Sequence, residues 1–190
     1  FGDDFTPTFH PERLAEPAKL KAPSRIFVCS MGELFSDTSV SEGWLPLVLG
    51  ACWAAPQHTY QFLTKQPHNL SCACSDWPPN HPWWPPRAWV GMTCDNLVRE
   101  RRWELNLDYL RDCQVDTLFI SFEPLLGPLP GPLPPWLSWV IIGGQSGPGA
   151  VQPKAEWIQA ILDQCGEKNI PVFIKENLHW KVERKEFPRK

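Results

Sequence analysis

Six places in the chain follow an apolar run with polar side chains capable of chemistry. They are Ser30 with Glu33, Thr64 with Lys65, Thr93 with Asp95, Glu123, the stretch Gly143, Gly144, Gln145 and Ser146, and Lys175 with Glu176. Each alone has a plain explanation, since strand ends reach solvent and polar residues belong there. Six in sequence, with carboxylates and lysines at matched positions, are better explained by a polar pocket. Carboxylates there serve proton transfer or pair a cation, and lysines pair an anion. Glu123 stands out, because Pro124 restricts its backbone while Phe122 and Leu125 make its surroundings apolar. Such a setting disfavours a bare carboxylate, so a cationic partner is expected from Lys65 or Lys175.

The fifth place is the densest. Trp139, Val140, Ile141 and Ile142 form an uninterrupted apolar run, which suits a strand covered on both faces. Gly143, Gly144, Gly147 and Gly149 follow and permit backbone angles and close approaches that a Cβ forbids. The alternative is a tight turn between strand and helix. The spacing is not the dinucleotide fingerprint, and no helix opens directly behind it.

These residues need a frame that brings strand ends together. Strands are expected over residues 25–31, 59–64, 88–94, 117–122, 139–142 and 170–175. Helical patterns separate most of them. A short piece covers 11–19, and a longer helix capped by Ser39 or Ser41 runs to about Ala55. A turn of helix lies near 67–70, and a long helix capped by Asp95 or Asn96 runs to about Cys113. The last helix spans 154–168. Strands spaced by helices imply a parallel sheet of βα units, here an α/β parallel barrel or partial TIM-like barrel of about six units. Residues 76–87 and 124–135 are loops rich in proline, and the first is rich in tryptophan. They either cover an end of the barrel or present a surface to a protein partner.

Composition narrows the classes. The chain has 190 residues, 43% hydrophobic and 21% charged, enough for one domain with a sizeable core. Its 22 prolines and 11 tryptophans are unusual, and much of the proline falls in the two loops. A net charge of −3 gives no electrostatic footprint for non-specific nucleic-acid binding, though a local basic groove is compatible with it. No apolar run approaches a membrane span, and no signal peptide is visible. The opening at Phe1 reads as the middle of something, so an upstream segment with a further strand is expected. Seven scattered cysteines suggest reduced thiols in a cytoplasmic protein. The close pair Cys72 and Cys74 suits neither a zinc ribbon nor an iron–sulfur motif, so no metal ligands are assigned.

Several stretches together resemble one family. They are Phe9-His-Pro-Glu-Arg-Leu14, Arg25-Ile-Phe-Val-Cys-Ser-Met-Gly-Glu-Leu-Phe35, Pro56-Gln-His-Thr-Tyr-Gln-Phe-Leu-Thr-Lys65, Trp89-Val-Gly91, Ser121-Phe-Glu-Pro-Leu-Leu-Gly127 and Trp139-Val-Ile-Ile-Gly-Gly-Gln-Ser-Gly-Pro-Gly149. They cover nearly the whole chain in order and look like the phage gene-product family of unknown function found in bacteriophages, prophages and bacteria. That family is similar to radical S-adenosylmethionine enzymes, with spore photoproduct lyase a more distant relative.

The resemblance implies a barrel whose first strand carries three cysteines for a [4Fe–4S] cluster that cleaves S-adenosylmethionine. None of the seven cysteines here reproduces that motif, which would lie before Phe1. The resemblance further implies that Met31, Gly32 and Glu33 meet the methionine amino group and that Gly143 to Gly147 approach the adenosine. Ser30, Thr64 and Thr93 would line the cofactor side, with Glu123, Lys65 and Lys175 facing substrate or carboxylate. Gln145 stands where many members carry Glu, which argues against an acid role there. The phage setting suggests a nucleic-acid substrate. Two other readings stay open: an iron-free barrel binding an anionic or phosphorylated small molecule, and a non-catalytic adaptor using the Trp–Pro loops.

Overall fold

The computed structural model describes residues 7–72, 83–95 and 102–188. Six strands, β1 Arg25–Phe27, β2 Thr59–Thr64, β3 Ala88–Thr93, β4 Thr117–Phe122, β5 Trp139–Ile142 and β6 Val172–Ile174, form one sheet. Each lies parallel beside its predecessor in sequence order, and the sheet curls into a half-barrel with helices between strands. This matches the expected α/β partial barrel at the level of a parallel half-barrel.

Side chains alternate between the two faces, as the pleat requires. The register sets Thr64, Met92, Ile120, Val140 and Val172 in one row, and these positions meet the helices. Against them pack Leu45, Leu49 and Cys52 of α3 (Trp44–Trp53), Trp103 and Leu110 of α5 (Trp103–Arg111), and Ile158, Ile161 and Cys165 of α6 (Ala155–Lys168). The concave face has a smaller cluster of Phe119, Trp139 and Ile141, with Leu63, Trp89, Phe173 and Phe187 against it. Gly91 lies between Leu63 and Phe119 in that face, and a Cβ there would come within 2.5 Å of the Phe119 ring. Glycine is required at that point for the ring to lie flat across the strand.

Local corrections follow from backbone chemistry. β1 ends at Phe27 rather than reaching Met31. Val28 still donates to the Gln61 carbonyl, but Cys29 at φ +53° turns the chain, and Gly32 N–H closes the turn on the Cys29 carbonyl. The helix expected from Ser39 or Ser41 to Ala55 is two, α2 (Asp37–Ser41) and α3, separated at Gly43 with φ +69°. The cap of α2 is Ser36, whose hydroxyl accepts the Ser39 N–H at 3.1 Å. The amino-terminal piece divides into a 3-10 turn, Pro11–Arg13, and α1, Glu16–Lys19. The turn near 67–70 appears as α4, Asn69–Cys72. Described helix α5 starts at Trp103 and ends at Arg111, and the expected caps Asp95 and Asn96 precede it. Residues 96–101 lie outside the described residues. So do Cys74 and 76–82 of the first proline loop. The rest of that loop covers core: Trp84 packs tilted on Phe35 and Phe62. The second proline loop buries Leu125 and Leu133.

The tail is an element the sequence reading did not foresee. Ile174 donates to the Arg184 carbonyl and Glu186 to the Val172 carbonyl, so the tail runs antiparallel along the outer edge of β6. Phe187 then lies 5.5 Å from both Trp139 and Phe173, and the Arg25 guanidinium of β1 sits 3.8 Å over its ring. No helix among the described residues is long and apolar enough to cross a membrane.

Candidate functional site

The carboxyl ends of β4, β5 and β6 converge on one ion pair. Backbone hydrogen bonds extend the sheet by one step: Gly143 N–H donates to the Phe122 carbonyl, Lys175 N–H to the Ile142 carbonyl, and Leu125 N–H to the Gly143 carbonyl. This places Glu123 beside Lys175, with Nζ to Oε1 at 2.6 Å and a cis peptide between Glu123 and Pro124. Their side chains are 27% and 42% exposed, so the pair is reachable from solvent. Gly143 makes the space, because a Cβ there would lie 3.0 Å from Cγ of Glu123 and 3.1 Å from its carboxyl group. The expected cationic partner is therefore Lys175 and not Lys65. One step deeper on the concave face the register sets Thr93 beside Ser121, both buried. Ser121 is 1% exposed, and its buried hydroxyl has no hydrogen-bond partner among the described residues.

The glycine loop is held from outside itself. Asn177, on the 3-10 turn Glu176–Leu178 after β6, donates from Nδ2 to the Gly144 carbonyl at 2.7 Å and accepts the Gly144 N–H at 3.2 Å. Nδ2 also reaches the Ser146 hydroxyl at 3.0 Å. Gln145 Oε1 accepts the Val151 N–H at 3.1 Å, which folds the loop back on itself. Gly147 and Gly149 take φ of +97° and +78°, where a side chain would be strained. Asn177 was not legible beforehand, since a single amide two residues past a lysine carries no pattern.

A second polar group sits at the ends of β1 and β2. Glu33 Oε1 accepts from the Thr64 hydroxyl at 2.9 Å and from Phe35 N–H at 3.0 Å, while Oε2 accepts the Lys65 N–H at 2.8 Å. Thr64 in turn accepts the Gln66 N–H at 2.8 Å. Three donors occupy most of the carboxylate's capacity, so Glu33 pins the β1 loop to β2 and keeps little for an incoming cation. Ser30 is exposed and Met31 is 84% exposed, both on the rim. The six strand ends thus gather as two polar groups, at β1–β2 and at β4–β6, with Thr93 of β3 between them.

A cleft of about 1040 Å³ lies elsewhere, at the amino ends of β2 to β4, lined by Trp83, Arg87, Trp89, Tyr109 and Asp112. Conserved chemistry in parallel barrels belongs to the opposite end, so the ion pair rather than this cleft is the candidate site. Among the described residues no group of three His, Cys, Asp or Glu side chains could hold a metal. Cys29, Cys52, Cys94, Cys113 and Cys165 carry no disulfide.

No curated protein and no solved structure matches the chain. One family model does, over residues 4–189, and the chain accordingly belongs to the family described as protein of unknown function, DUF5131.

Proposed function

We propose that the carboxyl end of the half-barrel binds S-adenosylmethionine through its zwitterionic end, in a radical S-adenosylmethionine-like protein of phage or prophage type. The observation that carries this reading is the Glu123–Lys175 pair, 2.6 Å long and partly open to solvent. A ligand bearing both an ammonium and a carboxylate exchanges partners with such a pair without a net change of charge. Its ammonium meets Glu123 and its carboxylate meets Lys175, each as a charge-assisted hydrogen bond. The glycine loop beside the pair offers backbone to the remainder of the ligand. The family resemblance supplies the identity of that ligand and suggests a nucleic acid as substrate. It implies the ammonium at Met31 to Glu33, but Glu33 already accepts three donors, so the ammonium is assigned to Glu123.

In enzymes of that kind a [4Fe–4S] cluster supplies the electron that cleaves the cofactor. The described residues do not fit such a cluster, having no group of three ligands, so no step through it is assigned to them. A second reading, an iron-free barrel taking an anionic small molecule, is favoured by lysines 65 and 175 at two strand ends. Against it, the N–H groups of Gly143, Gly144, Ala150 and Val151 already donate within the protein, which leaves a poor anion nest.

Calorimetric titration with S-adenosylhomocysteine, and with inorganic phosphate as the competing probe, separates the two. The expected result is binding of the former, weakened about tenfold or more by Glu123→Gln, which is at least about 1.4 kcal/mol. Binding of phosphate alone supports the iron-free barrel. An upstream-extended form reconstituted anaerobically should gain a visible cluster spectrum and cleave S-adenosylmethionine. Absence of both cofactor binding and cluster in either form ends the radical-enzyme reading.

A further inference from the structure

We infer that Asn177 is the positioning residue of this site, holding the glycine loop in the shape that receives the ligand; this rests on the reading above. Two residues before Asn177, Lys175 closes on Glu123, and Asn177 itself closes on Gly144. One short segment after β6 therefore fixes both the charged pair and the loop. The Asn177 amide presents an acceptor to the Gly144 N–H and a donor to the Gly144 carbonyl, so both polar groups of one peptide unit are answered by one side chain. Other bonds hold the loop at its ends, Gly143 with Phe122 and Leu125 and Val151 with Gln145, while Gly144 is answered by Asn177. Glycines at 143, 144, 147 and 149 give the loop large conformational freedom to lose. Gly144 also packs closely, since a Cβ there would lie 3.1 Å from the Asn177 carbonyl oxygen, so loop and segment touch through backbone.

The role depends on a donor at Nδ2, which allows a discriminating variant. Asn177→Asp has nearly the same shape. As a carboxylate it still accepts the Gly144 N–H, but it sets an anionic oxygen against the Gly144 carbonyl where the amide donates at 2.7 Å. Protonation of that carboxyl returns a donor and restores both bonds. The charged groups around it are Lys175 with Glu123 and Glu176 with Lys185, each paired, and exposed His179 two residues on.

The experiment measures S-adenosylhomocysteine binding and amide exchange of the 143–149 loop at pH 7.5 and 5.0 in the unaltered chain, Asn177→Asp and Asn177→Ala. For the aspartate variant the expected result at pH 7.5 is roughly tenfold weaker binding and faster loop exchange. Toward pH 5.0 the aspartate variant regains only the small part that its protonated fraction returns, an ordinary Asp titrating at about 3.9, whereas the alanine variant is weak at both and the unaltered chain changes little. The alanine variant also serves as the control for any other pH-dependent change in the chain. Unchanged exchange, or unchanged binding with exchange altered, overturns the positioning role while the ligand reading stands. Failure of the unaltered chain to bind sinks the ligand reading and, with it, a ligand-directed role for Asn177.

Discussion

Lys175 and Glu123 form a contact that is weak as a fastener. With 42% and 27% of their side chains exposed, water screens the attraction, and such pairs stabilise a fold by about 1 kcal/mol or less. Three strand ends nevertheless converge to make it, with Gly143 cleared of a side chain for the purpose, and that arrangement suits an exchangeable binding contact. Replacing Lys175 by Met should therefore lower urea stability by no more than about 1 kcal/mol. The same change should weaken S-adenosylhomocysteine binding about tenfold, and Lys175→Arg should restore part of it. A loss of several kcal/mol in urea with binding intact would mark the pair as structural instead. Glu123 and Lys175 were legible in the sequence because each directly ends an apolar run. Their pairing was legible only as a choice between two lysines. His58 was not legible at all: it is fully buried, accepting the Ser24 N–H at Nδ1 and meeting the Pro17 carbonyl through Nε2, and no local pattern announces that distant bond.

Elements were read best where one residue type ran unbroken. β4 and β5 appear with the bounds their apolar runs imply, because sheet burial on both faces leaves no other use for such runs, while β2 alternates buried with half-buried positions over its expected span. Boundaries failed where a turn depends on one backbone angle. β1 reads as apolar through Val28, but Cys29 leaves the sheet at a positive φ that the residue type does not advertise. The helix after β1 failed similarly, since three serines precede or enter it and only geometry shows which one caps. Ser36 accepts the Ser39 N–H, while Ser41 donates to the Thr38 carbonyl at an exposed position. Thermal unfolding distinguishes them: Ser36→Ala should cost about 1 kcal/mol, the usual value of a lost cap, and Ser41→Ala close to nothing. Equal effects would show that α2 is held by its packing rather than by its cap. The consequence reaches the site, because Ser39 also donates to the Glu33 carbonyl and Glu33 ties β1 to β2.

At the scale of the whole molecule, a sheet ordered from first strand to last has two edges to protect. The tail shields the β6 edge by pairing with it, and Phe187 under Arg25 links that edge to β1. A charged tail hides such a role in sequence, because Lys185 and Glu186 read as solvated while alternate positions pair with backbone and rings. Between helices and sheet lies the larger core, and it contains ionisable groups at widely separated points. Cys52 on α3 and Cys165 on α6 are buried, and burial pushes both thiols up to about 12. Burial likewise pushes Tyr60 up to about 12, with its hydroxyl held against the Ala55 carbonyl at 2.8 Å. These acids keep their protons in the fold at a pH where the unfolded chain has lost them. The folded state then binds more protons than the unfolded one, so stability must fall as pH rises through that interval. The interval opens near 9.0 for the thiols and near 10.0 for the tyrosine, and closes at about 12. With all three contributing, the slope approaches roughly 4 kcal/mol per pH unit, enough to unfold a domain of ordinary stability before the interval closes. Urea midpoints should therefore be level between pH 7 and about 9 and drop steeply beyond it, with Cys52→Ala and Cys165→Ala each making the drop shallower. A midpoint that stays level to pH 11 would mean that the thiols ionise inside the fold. In that case the helical layer would have to be open to water around α3 and α6, and the half-barrel would stand on its sheet alone.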